Sequence, residues 1–134
     1  AGSNPRGLRA LVIDDDAMSR EGLETLLRRW EVDTRSVASV TEAVACIGQG
    51  FAPQVVLSDH WLGHGDDAFS AIAAVTSALP AAQAAGLRVM VCSGDIRSTT
   101  QEAIRARGWH FLQKPVRPDL LEAWLRAGCG DASG

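Results

Sequence analysis

A doubly wound α/β fold, one parallel sheet between two layers of helices, is predicted by three features of the sequence. Short apolar runs recur at residues 9–13, 55–57 and 87–92, the composition of strands buried on both faces. Segments with helical apolar periodicity separate them. Each run stops at a polar residue, Asp14, Asp59 or Ser93, and in an open parallel sheet the carboxyl ends of the strands are where ligands bind.

Composition narrows the class. The 134 residues, 46% hydrophobic and 22% charged, suit one soluble globular domain and leave no room for a second. A formal net charge of -3 gives no electrostatic case for nucleic acid or an anionic membrane as a partner. No charged-then-apolar leader opens the chain, and no run approaches the ~20 apolar residues of a membrane span. Cys46, Cys92 and Cys129 are odd in number and lack CxxC spacing, so neither a disulfide framework nor a zinc site is indicated, and a reducing cytoplasm is expected. Small, polar, aperiodic ends place a linker at 1–7, the domain at 8–127 and a tail at 128–134.

Arg9 to Ile13 reads as a central strand ending at Asp14-Asp15-Asp16. Leu23, Leu26, Leu27 and Trp30 then form one apolar helical stripe, with Asp15 or Asp16 able to cap its first turn. Residues 32–37 alternate, as a half-exposed outer strand does. Ser39-Val40-Thr41-Glu42 has the form of a capping box and leads a helix with Ala43, Val44 and Ile47 that ends near Gly48 and Gly50. Val55-Val56-Leu57-Ser58-Asp59 is the third strand. Asp66-Asp67 opens a third helix with Phe69, Ile72, Ala73 and Val75, stopped before Pro80.

Residues 87–92 give the fourth strand. Ser98-Thr99-Thr100-Gln101 suggests a second capping box, leading a helix with Ile104 that stops at Gly108. Residues 109–112 give the fifth strand, ending at Lys114-Pro115. Pro118 stands at the first turn of a last helix with Leu120, Leu121, Trp124 and Leu125. Five strands alternating with five helices, joined by right-handed crossovers, predict the flavodoxin-like strand order 2-1-3-4-5, with a site at the switch between strands one and three.

Asp14, Asp15 and possible partner Asp16, with Asp59, Ser93 and Lys114, then meet at the carboxyl edge. Crowded carboxylates repel unless a cation neutralises them. Oxygen-only ligands suit Mg²⁺, whose octahedron is commonly completed by phosphate oxygens. Lys114 adds a compact positive charge and Ser93 a hydroxyl donor. Such a pocket suits a phosphoryl group, with Asp59 able to attack phosphorus in line.

Val12-Ile13-Asp14-Asp15-Asp16, Val56-Leu57-Ser58-Asp59, Cys92-Ser93-Gly94 and Leu112-Gln113-Lys114-Pro115, in this order, resemble the receiver domain of two-component response regulators. The resemblance runs from about Leu8 to Arg126. It implies that Asp59 accepts a phosphoryl group from a phosphohistidine. It also implies that Asp15 ligates Mg²⁺ directly, that Asp14 acts mostly through water, and that the backbone carbonyl of Trp61 completes the protein ligands. Ser93 and Lys114 would bind the phosphoryl oxygens, and Ser93 with Phe111 would form the switch. Implied partners are a histidine kinase or a histidine phosphotransfer domain. Lys114-Pro115-Val116-Arg117-Pro118 followed by Leu120-Leu121, with Ser58 to Leu62 and Ser93-Gly94-Asp95, is similar to receivers at the C-terminus of hybrid sensor histidine kinases.

Two departures stand out. Where the family usually has Pro and then Asp-Gly, this chain has Gly63 and then Asp66-Asp67, so a more mobile loop is expected after Asp59. Trp61 is large for a residue overhanging the site, and with Asp95 near the opposite wall it is expected to slow self-dephosphorylation.

Other readings compete less well. His60 and His64 with Asp59 could be taken as a zinc set, but their spacing fits no common zinc pattern. His110 reads as a packed or surface histidine, Cys92 as a small buried hydrophobe, and Trp30 and Trp124 as members of helical apolar stripes. A flavin mononucleotide carrier would place phosphate where three aspartates repel it. A Mg²⁺-dependent aspartyl-phosphate phosphatase of the haloacid-dehalogenase type needs a further acidic pair after the lysine, where only the isolated Asp119 and Asp131 follow. An unphosphorylated docking module has no use for closely packed carboxylates.

Overall fold

A computed structural model describes residues 5–94 and 96–130, except the side chains of 128–130. The chain runs β1 (Arg9–Ile13), α1 (Ala17–Arg29), β2 (Asp33–Val37), α2 (Val40–Gly48), β3 (Val55–Asp59), β4 (Trp61–Gly63), β5 (Asp66–Asp67), α3 (Ala68–Ala78), α4 (Ala81–Ala85), β6 (Arg88–Ser93), α5 (Ser98–Ala106), β7 (His110–Gln113) and α6 (Pro118–Gly130). The main sheet has the order β2-β1-β3-β6-β7, with every neighbouring pair parallel. Numbered by its own five strands, this is the expected 2-1-3-4-5. Register aligns Ile13 with Ser58, Asp59 with Cys92 and Ser93 with Gln113. The carboxyl ends of four strands therefore share one rim.

Alternation along the central strands divides the core in two. Leu11, Ile13, Val56, Val89 and Val91 face one layer, where they meet Ala43 and Ile47 of α2, Ile72 and Val75 of α3, and Ile104 of α5. Ala10, Val12, Leu57, Met90 and Leu112 face the other, against Leu23 and Leu27 of α1 and Leu121 and Leu125 of α6. Each fully buried leucine contributes about 1.5–3 kcal/mol over an exposed one. The two layers hold the strands rigidly, so the positions of their ends are fixed.

Several sequence expectations need correction. The segment after Asp59 is an antiparallel hairpin of β4 and β5 rather than an irregular loop. Its reversal passes through Gly63, His64 and Gly65 at φ of 75°, 53° and 80°, a path two glycines adopt without steric cost. A sixth, short helix, α4, follows Pro80, where alanine propensity fills a span assigned no element above. The proposed cap at 98–101 is not formed. Arg97 holds the cap position with no side-chain hydrogen bond, so Ser98 lies inside the helix, and the Gln101 amide instead donates to the Ile96 carbonyl at 3.4 Å.

The box at Ser39 is half as drawn. Ser39 Oγ accepts from the Glu42 N–H at 3.2 Å, but Glu42 takes the N–H of Ala38 at 3.0 Å rather than that of Ser39. Val44, Ala73 and Leu120 face solvent, and Ala71 takes a core position in α3. Trp109 stays outside β7 because its N–H closes α5 on the Ile104 carbonyl. No helix among the described residues is long and apolar enough to cross a membrane.

Candidate functional site

The acidic run after β1 divides its labour by backbone geometry. Asp16 is the N-cap of α1, its Oδ2 accepting the Ser19 N–H at 3.0 Å. Bonding to Ser19, through side chain and backbone, holds its carboxyl below the usual range. Asp14 turns inward and is 1% exposed. Its Oδ1 accepts the Asp16 N–H at 2.9 Å, and Arg20 donates to its backbone carbonyl at 2.8 Å. Asp15 is exposed at the rim.

Asp59 ends β3. One carboxylate oxygen each from Asp14, Asp15 and Asp59 lies within 4.8 Å of the others. Asp16, left open as a partner by the sequence, is not in that group. Gly63 of the hairpin comes close to it, for a Cβ there would lie 3.4 Å from Asp15 Oδ2. The backbone N–H of Trp61 bonds to the Asp59 carboxylate.

Lys114 reaches in from the end of β7. Its N–H donates to the Ser93 carbonyl at 3.0 Å. Its Nζ donates to Asp14 Oδ2 at 2.8 Å, and to Asp59 Oδ2 and Ser19 Oγ at 3.4 Å. Burial pushes the Asp59 carboxyl up; Lys114 opposes this and Asp14 adds to it. Burial alone would lower the Lys114 ammonium, but its contacts with Asp14 and Asp59 hold it above its ordinary value. Asp59 is thus a partly desolvated carboxylate beside one cation and two other carboxylates. That arrangement attracts a further cation and leaves an oxygen poised beside an ammonium group.

Ser93 ends β6 at 1% exposure. Phe111 is half-buried against the α2, α3 and α5 core. Trp61 stands 58% exposed beside the site. Asp95, expected on the opposite wall, lies outside the described residues.

The two histidines do not join the acids. His60 is 4% exposed and packs edge-on to Trp61 and Phe69, at 4.5 and 5.6 Å between ring centroids, while His64 sits exposed in the hairpin turn. Among the described residues the one metal-competent cluster is Asp14, Asp15 and Asp59. Cys92 is buried as read, its thiol pushed up to about 12 by desolvation. His110 stacks on Trp124 at 6.3 Å. Ser19 and Arg20 escaped the sequence reading. Neither belongs to a motif, and their only signal is their place one turn into the helix after the acidic run.

Comparison with known proteins fits this geometry. A family model described as the response regulator receiver domain matches residues 10–126. Among curated proteins no sequence matches. Solved structures share the fold over nearly the whole chain. A putative response regulator from Chloroflexus aurantiacus J-10-fl is 23% identical with a TM-score of 0.77, over 92% of this chain and 98% of that one. The Vibrio cholerae chemotaxis protein CheY4 is 18% identical with a TM-score of 0.73, over 90% and 98%. The receiver domain of the hybrid histidine kinase CckA is 20% identical with a TM-score of 0.69, again over 90% and 98%.

Proposed function

This chain belongs to the response regulator receiver domain family, and we propose that it accepts a phosphoryl group on Asp59 from a phosphohistidine and changes conformation in response. The observation that carries this reading is the meeting of Asp14, Asp15 and Asp59 within 4.8 Å, with Lys114 bridging two of them.

The donor set fits Mg²⁺. It is all oxygen and all carboxylate, and one member, Asp15, remains exposed for direct coordination. Asp15, Asp59 and the Trp61 carbonyl would hold the ion, with Asp14 acting mostly through water. Bound there, the ion neutralises developing charge on phosphoryl oxygens.

The chain's own residues supply the remainder. An Asp59 carboxylate oxygen forms a bond to phosphorus as the P–N bond to the donor histidine breaks, and the imidazole leaves with the electron pair. The Trp61 N–H orients Asp59. Lys114 is already shared between Asp14 and Asp59, so its Nζ has a short move to a phosphoryl oxygen. Ser93 is buried at the adjoining strand end, and its hydroxyl would follow the phosphoryl group inward. Phe111, half-buried on the neighbouring strand β7, would take the vacated space and bias the face of α5, β7 and α6 between two states.

The donor is a histidine kinase or a histidine phosphotransfer domain, and the domain, residues 8–127, works in the cytoplasm without contacting nucleic acid or membrane. The 114–118 segment favours a place in a hybrid histidine kinase, tethered to a membrane sensor. In that setting the output is transfer to, or return from, a phosphotransfer partner.

The test is intact mass after mixing with Mg²⁺ and acetyl phosphate, wild type against Asp59→Asn. A Mg²⁺-dependent adduct of about 80 Da, one phosphoryl group on the nucleophile, absent from the variant, is expected. Its persistence over minutes separates a signalling domain from a phosphatase, whose intermediate turns over. No adduct from any donor, a phosphorylated histidine domain included, overturns the assignment in favour of a docking module.

A further inference from the structure

Asp59, the proposed nucleophile, and Trp61, whose N–H bonds to its carboxylate, flank a residue in a different setting. Asp59 is half-buried and Trp61 exposed, whereas His60 is 4% exposed. Its imidazole meets Trp61 at 71° between ring planes and Phe69 at 85°, the edge-to-face geometry that aromatic pairs favour. Phe69 is itself packed, 5.7 Å from the Trp109 ring, with the Arg107 guanidinium 4.5 Å from its centroid and 5.3 Å from that of Trp109. The ring against which His60 lies is thus braced by the junction of α5 and β7.

No hydrogen bond at Nδ1 explains this placement, for that atom is buried without a partner among the described residues. A buried nitrogen left so costs free energy that an apolar side chain would avoid. What the imidazole contributes is a flat ring with an edge to present. The backbone that follows needs an anchor. It reverses through Gly63, His64 and Gly65, all at positive φ, and glycine restrains a chain least. Within 61–67 only Leu62 is buried. On the other side of Trp61 the adjoining buried side chain is that of His60, whose carbonyl also accepts the Ala68 N–H at 3.1 Å.

We propose that His60 is a positioning residue, its ring seated against Phe69 and Trp61 so that the Trp61 backbone stays beside the Asp59 carboxylate. The consequence for phosphoryl transfer rests on the phosphoacceptor reading, but the placement belongs to the metal-free chain. Trp61 supplies an N–H to Asp59 and, on that reading, a carbonyl to the ion. One anchored residue thereby sets both, while His60 itself would touch neither the ion nor the phosphoryl group.

The test is amide hydrogen exchange of the full chain by NMR in EDTA, where the Trp61 N–H reads its bond to Asp59. His60→Leu keeps the bulk and loses the ring, and should speed exchange at Trp61 about tenfold, the weight of one or two edge-to-face contacts. His60→Phe keeps a ring without the nitrogens and should restore protection, which a role in hydrogen bonding or in filling space would not predict. Phe69→Leu leaves 59–61 unchanged and should speed Trp61 exchange as well. With Mg²⁺ and acetyl phosphate, His60→Leu should form the adduct about tenfold more slowly, the penalty of a loosened nucleophile, and His60→Phe should recover the rate. Unchanged Trp61 exchange in both leucine variants, or exchange in His60→Phe as fast as in His60→Leu, overturns the proposal. So does an unchanged rate of adduct formation in His60→Leu. A wild type that forms no adduct yet shows the expected exchange pattern refutes the phosphoacceptor reading and upholds the placement.

Discussion

Replacing Asp59 with Asn should make the metal-free domain more stable while removing the proposed phosphoacceptor. With the three carboxylates within 4.8 Å, each ionised pair costs about 3.5 kcal/mol at an effective dielectric of about 20. Lys114, 3.4 Å from Asp59, returns about 5 kcal/mol on the same scale. Two repulsions against one attraction leave ionised Asp59 about 2 kcal/mol unfavourable. Solvent at exposed Asp15 and the Trp61 N–H offset part of this, so a gain of about 1 kcal/mol is expected from the near-isosteric amide. In a domain of this size that is about 3–5 °C in Tm. The assay is thermal unfolding by circular dichroism in EDTA at pH 7. Burial foremost, reinforced by Asp14 and opposed by Lys114, raises the folded-state pKa of Asp59 above its unfolded value. A carboxyl shifted that way binds its proton more readily in the folded state. The wild type therefore gains stability as pH falls through the raised folded value toward the ordinary one, and the advantage of the variant shrinks over that window. Saturating Mg²⁺ should reverse the order, because the substitution removes one of the proposed carboxylate ligands. A variant that melts below the wild type in EDTA at pH 7, or whose advantage ignores pH, refutes the reasoning.

Lys114→Met leaves Asp14, 1% exposed, without its ammonium partner at 2.8 Å. Urea unfolding should show a loss of about 3 kcal/mol, and an unchanged unfolding free energy would show the pair contributes nothing. Trp61→Ala opens the exposed wall beside Asp59, and phosphoryl release followed by mass should quicken about tenfold, some 1.4 kcal/mol of barrier; an unchanged lifetime removes Trp61 from water control. Cys92, 1% exposed with its thiol pushed up to about 12, should resist alkylation at pH 8 until denaturant is added, whereas half-exposed Cys46 labels in the native state. Peptide mapping of the label separates the two, and native labelling of Cys92 would contradict its burial.

The sheet was legible because its signals are local. Apolar runs of five or so residues can be satisfied only by strands covered on both sides, and the crossover rule then leaves few orders. The site followed, since Asp14, Asp59, Ser93 and Lys114 each stand where such a run stops. What failed was decided by tertiary balance over one or two residues. Ser98 looks like a cap, but with Arg97 at the cap position Ser98 becomes the first residue of the helix. Val44 and Leu120 sit beside core positions on the helical wheel, and only the approach of the sheet decides that Ala43 and Leu121 are the residues buried. The β4–β5 hairpin rests on backbone at positive φ, including His64 between two glycines, a conformation uncommon for any single non-glycine residue. His60 could be placed next to Asp59 in sequence, but alternation along the strand sends its ring to Phe69, away from the carboxylates.

Charge at the rim explains why the proposed reaction needs both kinds of cation. Three carboxylates and one ammonium leave the cluster at a formal charge of -2. The proposed divalent ion would bring it to neutrality, and an anionic phosphoryl donor would then meet less repulsion. Transfer replaces the single charge of Asp59 with the roughly -2 of a phosphoryl group, so the product is more anionic than the reactant carboxylate. Lys114 cannot meet that demand alone, because its nearest partner is Asp14 at 2.8 Å rather than Asp59 at 3.4 Å. Asp15, Asp59 and the Trp61 carbonyl would hold the proposed ion, and its charge beside Asp14 would compete with Lys114 for that carboxylate, leaving the ammonium freer for phosphoryl oxygens. On that proposal metal affinity and phosphoryl affinity would be coupled through one lysine, each raising the other by the same factor.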